Sequence, residues 1–186
     1  MRWSILLILC LLWTVARADL GRLAYIAGGA LWVKALPNGA AHVVAKGKIA
    51  SPVWSASGAW LIYHDCTTDC EKLARFDGKE VLTPKEMTNT VWNAAWSPVD
   101  DTLAFTTEYG GLWLCDVANS ATHMIIVASK LKSDPDVRSG IPPYADRYIG
   151  KIVWAHDGRT LALATQNGGL FLYDVASGRF TKKYSS

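Results

Sequence analysis

The stretch "WSPVDDTLAFTTEYGGLWLCDV", Trp96 to Val117, is nearly repeated as "WAHDGRTLALATQNGGLFLYDV", Trp154 to Val175. With the two tryptophans in register, a third copy falls into line upstream as "WSASGAWLIY", beginning at Trp54. Leu61, Leu103 and Leu161 then stand seven residues after each Trp without a gap, and Gly58, Asp100 and Gly158 stand four after it. Each phrase reads as strand, tight turn, strand. The turn calls for a residue that tolerates positive φ, and Gly or Asp serves. A further shared strand follows, "LARFD", "LWLCD" and "LFLYD", closing at Asp77, Asp116 and Asp174. An Asp at a strand end can accept bonds from nearby backbone amides in an Asx-type turn, so these three residues, like the three tryptophans, are read as repeat-defining structural positions. Gly110-Gly111 and Gly168-Gly169 suit the preceding hairpin turn. In the Trp54 copy that hairpin is longer and carries Cys66 and Cys70.

A fourth strand closes each copy: "EVL" at Glu80–Leu82, "HMIIV" at His123–Val127 and "RFTKKY" at Arg179–Tyr184. A partial copy precedes them. "LAYIAGGALWV", Leu23 to Val33, matches the second and third strands, "HVVA" from His42 matches the fourth, and the Trp strand is missing. About 42 residues separate Trp54 from Trp96, and a four-stranded repeat of ~40–45 residues is the signature of a β-propeller blade. The spacing grows to about 58 between Trp96 and Trp154 through an insertion around "KLKSDPDVRSGIPPYADRY". The expected fold is all-β: three full blades of four antiparallel strands plus one three-stranded blade, in units of about 19–47, 48–86, 87–129 and 147–186, with the insertion at 130–146.

The phrase Trp-Ser-Pro-x-x-x-x-Leu-Ala-Phe followed by Leu-Trp-Leu-x-Asp resembles the TolB-like propeller repeat, a relative of the WD-type blade, and the resemblance runs from Leu23 to Tyr184. It implies a fold rather than a reaction. Blades of this kind occur in exported bacterial proteins and in the propeller domains of prolyl-oligopeptidase-type enzymes. The family's Asp-Gly first turn is kept only in "HDG", His156 to Gly158, and no G-x-S-x-G nucleophile elbow occurs anywhere in the chain. The resemblance implies six or more blades, whereas four units stand here; a small closed ring, two copies joined into one ring, docking with another propeller fragment and a piece of a longer ancestor are the outcomes left open, and the expectation is an open arc that self-associates or needs a partner.

The N-terminus, "MRWSILLILCLLWTVARADL", has a basic residue at Arg2, an apolar core from Ser4 to Val15 and an A-x-A site at Ala16–Ala18. It reads as a signal peptide over residues 1–18, cut before Asp19, which predicts a periplasmic or secreted protein. The apolar run is short for a membrane span, and no later segment is apolar enough for one. The chain carries a formal net charge of +3, of which Arg2 and Arg17 lie in the leader. No basic face is implied, so nucleic acid is not an expected partner.

Export also predicts an oxidising compartment, in which "CTTDC" makes Cys66 and Cys70 a candidate disulfide. Cys115, between Leu114 and Asp116, reads as a buried free thiol. No set of ligands stands at metal spacing, and no metal or other cofactor is expected. His42, His64, His123 and His156 are scattered over different blade positions, which argues against a shared lyase-type site.

Polar residues that follow the second strand, His64-Asp65, Glu108-Tyr109 and Gln166-Asn167, read first as solvated hairpin residues, and His156-Asp157 reads as turn chemistry. The insertion is the candidate interaction loop, through Lys132, Asp134, Asp136, Arg138, Tyr144 and Arg147, because a long connection without periodicity is uncommon unless it is functional or disordered. The expected function is an exported, non-catalytic propeller scaffold for protein or peptide contacts. The alternative is a substrate-gating or ligand-binding propeller module associated with a separate peptidase or glycan-active enzyme.

Overall fold

A computed structural model describes residues 21–88, 90–107, 111–126, 149–165 and 169–184. The insertion, and with it Lys132, Asp134, Asp136, Arg138, Tyr144 and Arg147, lies outside the described residues, as do residues 1–18 and Glu108, Tyr109, Gln166 and Asn167.

The described chain forms four antiparallel sheets in sequence order. The first holds β1 (Arg22–Ala27), β2 (Ala30–Ala35) and β3 (Ala41–Lys46). The second holds β4 (Ile49–Trp54), β5 (Trp60–Asp65), β6 (Cys70–Arg75) and β7 (Val81–Leu82). The third holds β8 (Val91–Trp96), β9 (Thr102–Thr107), β10 (Leu112–Asp116) and β11 (Ala121–Ile126). The fourth holds β12 (Ile149–Trp154), β13 (Thr160–Thr165), β14 (Leu170–Asp174) and β15 (Arg179–Tyr184). Within each sheet the strands pair in chain order, the up-and-down meander of a propeller blade. The array is an open propeller of three full blades and one three-stranded blade.

Register bulges repeat from blade to blade and fix the alignment of the short one. The first and second strands slip between Ala50 and Val53, between Val91 and Asn93, and between Ile149 and Lys151. The third and fourth strands slip between Leu112 and Trp113 and between Leu170 and Phe171. The slip in β2–β3 falls between Leu31 and Trp32, the same repeat position. Bulges are placed features that re-aim side chains. Their coincidence makes β2 the counterpart of β10 and β14, so the blade's missing strand is the Trp-bearing one.

The core consists of three apolar clusters, one at each junction between neighbouring blades. Leu31, Val33 and Val44 of the first blade meet Leu61, Tyr63 and Ala74 of the second. Trp60, Ile62 and Leu73 of the second meet Leu103, Phe105, Cys115 and Val117 of the third. Ala104, Leu112 and Leu114 of the third meet Ile152, Leu161, Leu163, Phe171 and Tyr173 of the fourth. A strand inside the array is therefore buried on both faces, as β5 is from Trp60 to Tyr63 and β9 from Leu103 to Thr107. This explains why these strands read as continuous apolar runs rather than alternating ones.

The repeat tryptophans tie the first strands of successive blades together. Trp96 Nε1 donates to Val53 O at 3.2 Å, and Trp154 Nε1 donates to Ala95 O at 2.9 Å. Trp54 packs against the first cluster, where the described residues hold no preceding Trp strand to receive its N–H.

One expectation is corrected. Gly58 and Gly158 take left-handed φ of 67° and 65°, but Asp100 stays out of that region. In its copy Asp100 Oδ1 instead accepts the Thr102 amide at 3.0 Å, and Ser97 Oγ accepts the Val99 amide at 3.4 Å. The second blade's fourth strand falls within "EVL", at Val81–Leu82, and Glu80 O accepts the Arg75 amide at 2.9 Å. The chain then turns into a 3-10 helix, Lys85–Thr88, whose Met87 is fully buried in the junction between the second and third blades.

Candidate functional site

Among the described residues, chemistry-bearing or apolar groups come together at the end of the β5–β6 hairpin, in a cleft beside the 3-10 helix, and on the two end faces of the array.

At the β5–β6 hairpin, the register sets His64 opposite Glu71 and Asp65 opposite Cys70. His64 Nδ1 lies 3.2 Å from Glu71 Oε1 and Nε2 lies 3.4 Å from Asp69 Oδ1, so the imidazole sits between two carboxylates. A neutral ring can donate to only one of them, and a protonated ring to both. Beside it, Lys72 Nζ donates to Asp65 Oδ2 at 2.6 Å, and the Thr67 amide donates to Asp65 Oδ1 at 2.9 Å. The Lys72 bond, supported by the Thr67 amide, holds the Asp65 carboxyl far below the usual carboxylate range, and the same bond raises Lys72. Glu71 moves the other way, because burial penalises its charged form more than His64 favours it.

Sequence reasoning singled out His64 and Asp65 but missed Asp69, Glu71 and Lys72. The available signal was period-2 pairing across the hairpin, which sets Glu71 and Lys72 on the partner strand. Cys66 and Cys70 carry free thiols here, not the candidate disulfide. The Cys70 thiol is turned toward Thr68 O at 3.2 Å and Thr88 O at 3.6 Å. Among the described residues no group of three or more His, Cys, Asp or Glu is placed to hold a metal ion.

The cleft, of about 350 Å³, lies between the 3-10 helix and the third blade and is lined by Pro84, Glu86, Cys115 and Thr122 among others. Thr122 Oγ1 donates to Glu86 Oε2 at 2.8 Å. Burial pushes the Cys115 thiol up to about 11. It therefore stays protonated at neutral pH, and a thiol in that form is neither nucleophile nor ligand.

The three strand-end aspartates serve their turns. Asp77 accepts the Lys79 amide at 3.1 Å, Asp116 accepts the Asn119 amide at 3.2 Å, and Asp174 accepts both the amide and the hydroxyl of Ser177, at 2.7 and 2.6 Å. Asp157 likewise accepts the Arg159 amide at 2.9 Å. His42, in β3, bonds through Nε2 to Phe76 O at 2.7 Å, a link between the first and second blades.

At the two ends of the array, burial falls on one sheet face only. In β1, Leu23 is 45% exposed and Tyr25 36%, whereas Ala24 between them packs on the first cluster. Tyr25 stacks on Trp32 with ring centroids 6.5 Å apart and planes at 11°. In β13 and β14, Leu161, Leu163, Phe171 and Tyr173 are buried against the third blade, while Ala164 and Leu170 on the opposite face are exposed. Sequence reasoning anticipated open end faces in general but named none of these residues.

No protein-family model matches the chain, and no curated protein matches it in sequence. Solved structures share its fold. A chain of the nidogen/laminin complex superposes with a TM-score of 0.51 at 12% identity, over 82% of this chain and 56% of that one. The tricorn protease superposes with a TM-score of 0.59 at 9% identity, over 90% of this chain and 16% of that one. This chain thus spans about half the length of the first and about a sixth of the second. Identities this low speak to fold alone, and they agree with the blade topology and the repeated bulges: the chain folds as β-propeller blades.

Proposed function

We propose that the chain is an exported, non-catalytic propeller scaffold of the TolB-like kind that works by protein–protein or peptide contact. The observation that carries the reading is the pair of apolar end faces. Leu23 and Tyr25 are exposed at one end and Leu170 at the other, on sheets whose opposite faces pack against the neighbouring blade. Contiguous apolar surface on an otherwise well-packed protein marks interaction sites. The nidogen neighbour was solved in a complex with laminin, so a propeller-type relative in fold engages another protein. The leader supports export. A set of buried polar groups converging on an apolar pocket would argue for ligand chemistry instead. The β5–β6 hairpin groups are paired with one another at a strand end, and the one thiol in the cleft is held protonated.

A second reading has one observation in its favour, the fold match to a small part of the tricorn protease. In that reading the chain is a propeller module that gates substrate for a separate peptidase or glycan-active enzyme.

The test expresses the full chain with its own leader and follows it by fractionation and N-terminal sequencing. Photo-crosslinking then starts from residue 25. Processing before Asp19, with cross-links from the end face to a defined protein, is the expected result. Retention in the cytoplasm, or an end face that cross-links to nothing, would overturn the scaffold reading. Cross-links to a peptidase would favour the second.

A further inference from the structure

The two open faces can be compared, position by position, with faces already buried inside the chain. Strand registers supply the equivalences: Trp113 pairs with Phe105 and Cys115 with Leu103, just as Trp32 pairs with Tyr25 and Lys34 with Leu23. The face that the third blade turns toward the second thus carries Leu103, Phe105 and Trp113, where the open face of the first blade carries Leu23, Tyr25 and Trp32. The ring pair is conserved in geometry as well: Phe105 and Trp113 lie 6.4 Å apart at 10°, against 6.5 Å and 11° for Tyr25 and Trp32.

The far end behaves the same way. The third blade offers the fourth a small-residue face of Ala104, Thr106, Leu112 and Leu114. The equivalent residues on the fourth blade's open face are Ala162, Ala164, Leu170 and Leu172. Only Thr106 has changed, to alanine. In the junction between the third and fourth blades this small face accepts Leu161, Leu163, Phe171 and Tyr173, a leucine-and-ring face of the type the first blade leaves open. One end therefore presents a plug and the other its socket.

Resting on the interaction reading above, we propose that the occupant of these faces is a second copy of this chain. The Leu23–Tyr25–Trp32 face of one copy seats on the Ala162–Ala164–Leu170–Leu172 face of the next, head to tail. The two ends do not meet within one copy, since Leu23, Tyr25 and Leu170 all remain exposed. A junction that joins two different faces is heterologous, and such junctions close into rings when the rotation allows. Two copies that close in this way form two identical junctions and leave neither end open.

The experiment measures solution mass by light scattering on the full chain, expressed with its own leader, at tens of micromolar. Wild type is expected to be a dimer. Leu23→Glu disables the plug and Ala164→Arg disables the socket. Each alone is expected to weaken association by more than about 30-fold, as for a central interface residue, and to run as a monomer. Mixing the two variants pairs the intact socket of one with the intact plug of the other and restores a 1:1 dimer. Recovery on mixing also demonstrates that both variants fold, and Tyr25→Ser with Leu170→Arg provides a second pair.

A monomeric wild type would overturn the proposal, as would single variants that stay dimeric or a mixture of folded variants that stays monomeric. A monomeric wild type whose residue 25 cross-links to a different protein would defeat self-association while leaving the scaffold reading intact.

Discussion

Phe105→Ala and Tyr25→Ala remove rings from the same repeat position, each stacked on a tryptophan in the same geometry. They differ in what lies on the other side. Phe105 is fully buried between the second and third blades, and Tyr25 is 36% exposed at the open end. Truncating a buried Phe loses the transfer free energy of the ring and leaves a cavity, about 3–5 kcal/mol together. Truncating Tyr25 loses chiefly the contact with Trp32, about 0.5–1.5 kcal/mol for an aromatic pair.

The difference of at least about 1.5 kcal/mol is more than a 10-fold difference in the folding equilibrium. It is a large share of the 5–15 kcal/mol that holds a typical domain. Urea unfolding followed by tryptophan fluorescence measures both variants, at sub-micromolar chain so that association adds nothing by mass action. Equal losses in the two variants would refute the reasoning, because Tyr25 would then have to be covered within one copy. At high concentration the Tyr25→Ala loss should grow, through the docked end, and the Phe105→Ala loss should not.

Trp154→Phe keeps an aromatic ring but removes the N–H bond to Ala95 O; a loss of about 1 kcal/mol or more in urea unfolding is expected, with a smaller one for Trp54→Phe. The Asp65 carboxyl is depressed when folded, so its contribution to stability is present above about pH 4, its unfolded range, and is lost as pH falls toward the folded value. Lys72→Met should return the Asp65 titration, followed by NMR, toward the ordinary carboxylate range. Glu71 is raised when folded, so its contribution has the opposite sign: it is present below the unfolded range and lost as pH rises through the folded value. Under reducing conditions Cys66 and Cys70 should react with a maleimide in the native protein, whereas Cys115 should react only on unfolding; fast labelling mapped to Cys115 itself would mean that the blade junction around it opens. Gly158→Ala places a side chain at a left-handed φ and against the Val99 methyl, and should cost more than the few tenths of a kcal/mol usual at a surface position, read again by urea unfolding.

The blade is legible in the sequence alone. A strand's side chains alternate with a fixed period of two, and a blade's turns recur at fixed offsets, so Trp54, Trp96 and Trp154 with their leucines seven residues on are enough to lay out the strands. The partial first copy was legible for the same reason. The tertiary structure decided how faces are used. Nothing in "LAYIA" and "LAFTT" says that Tyr25 is exposed while Phe105 is buried, because burial depends on whether another blade follows on that side. The hairpin charges divide in the same way. His64 and Asp65 stand out in the sequence, but Glu71 and Lys72 become their partners only through the β5–β6 register, and their opposite pKa shifts follow from one bond and one buried carboxyl. The 3-10 helix after the second blade's fourth strand was likewise not legible, since its Met87 is buried in the blade junction, a long-range contact that local pattern does not encode. Local periodicity is written in each segment; the pairing of one blade's face with the next is a property of their order in space.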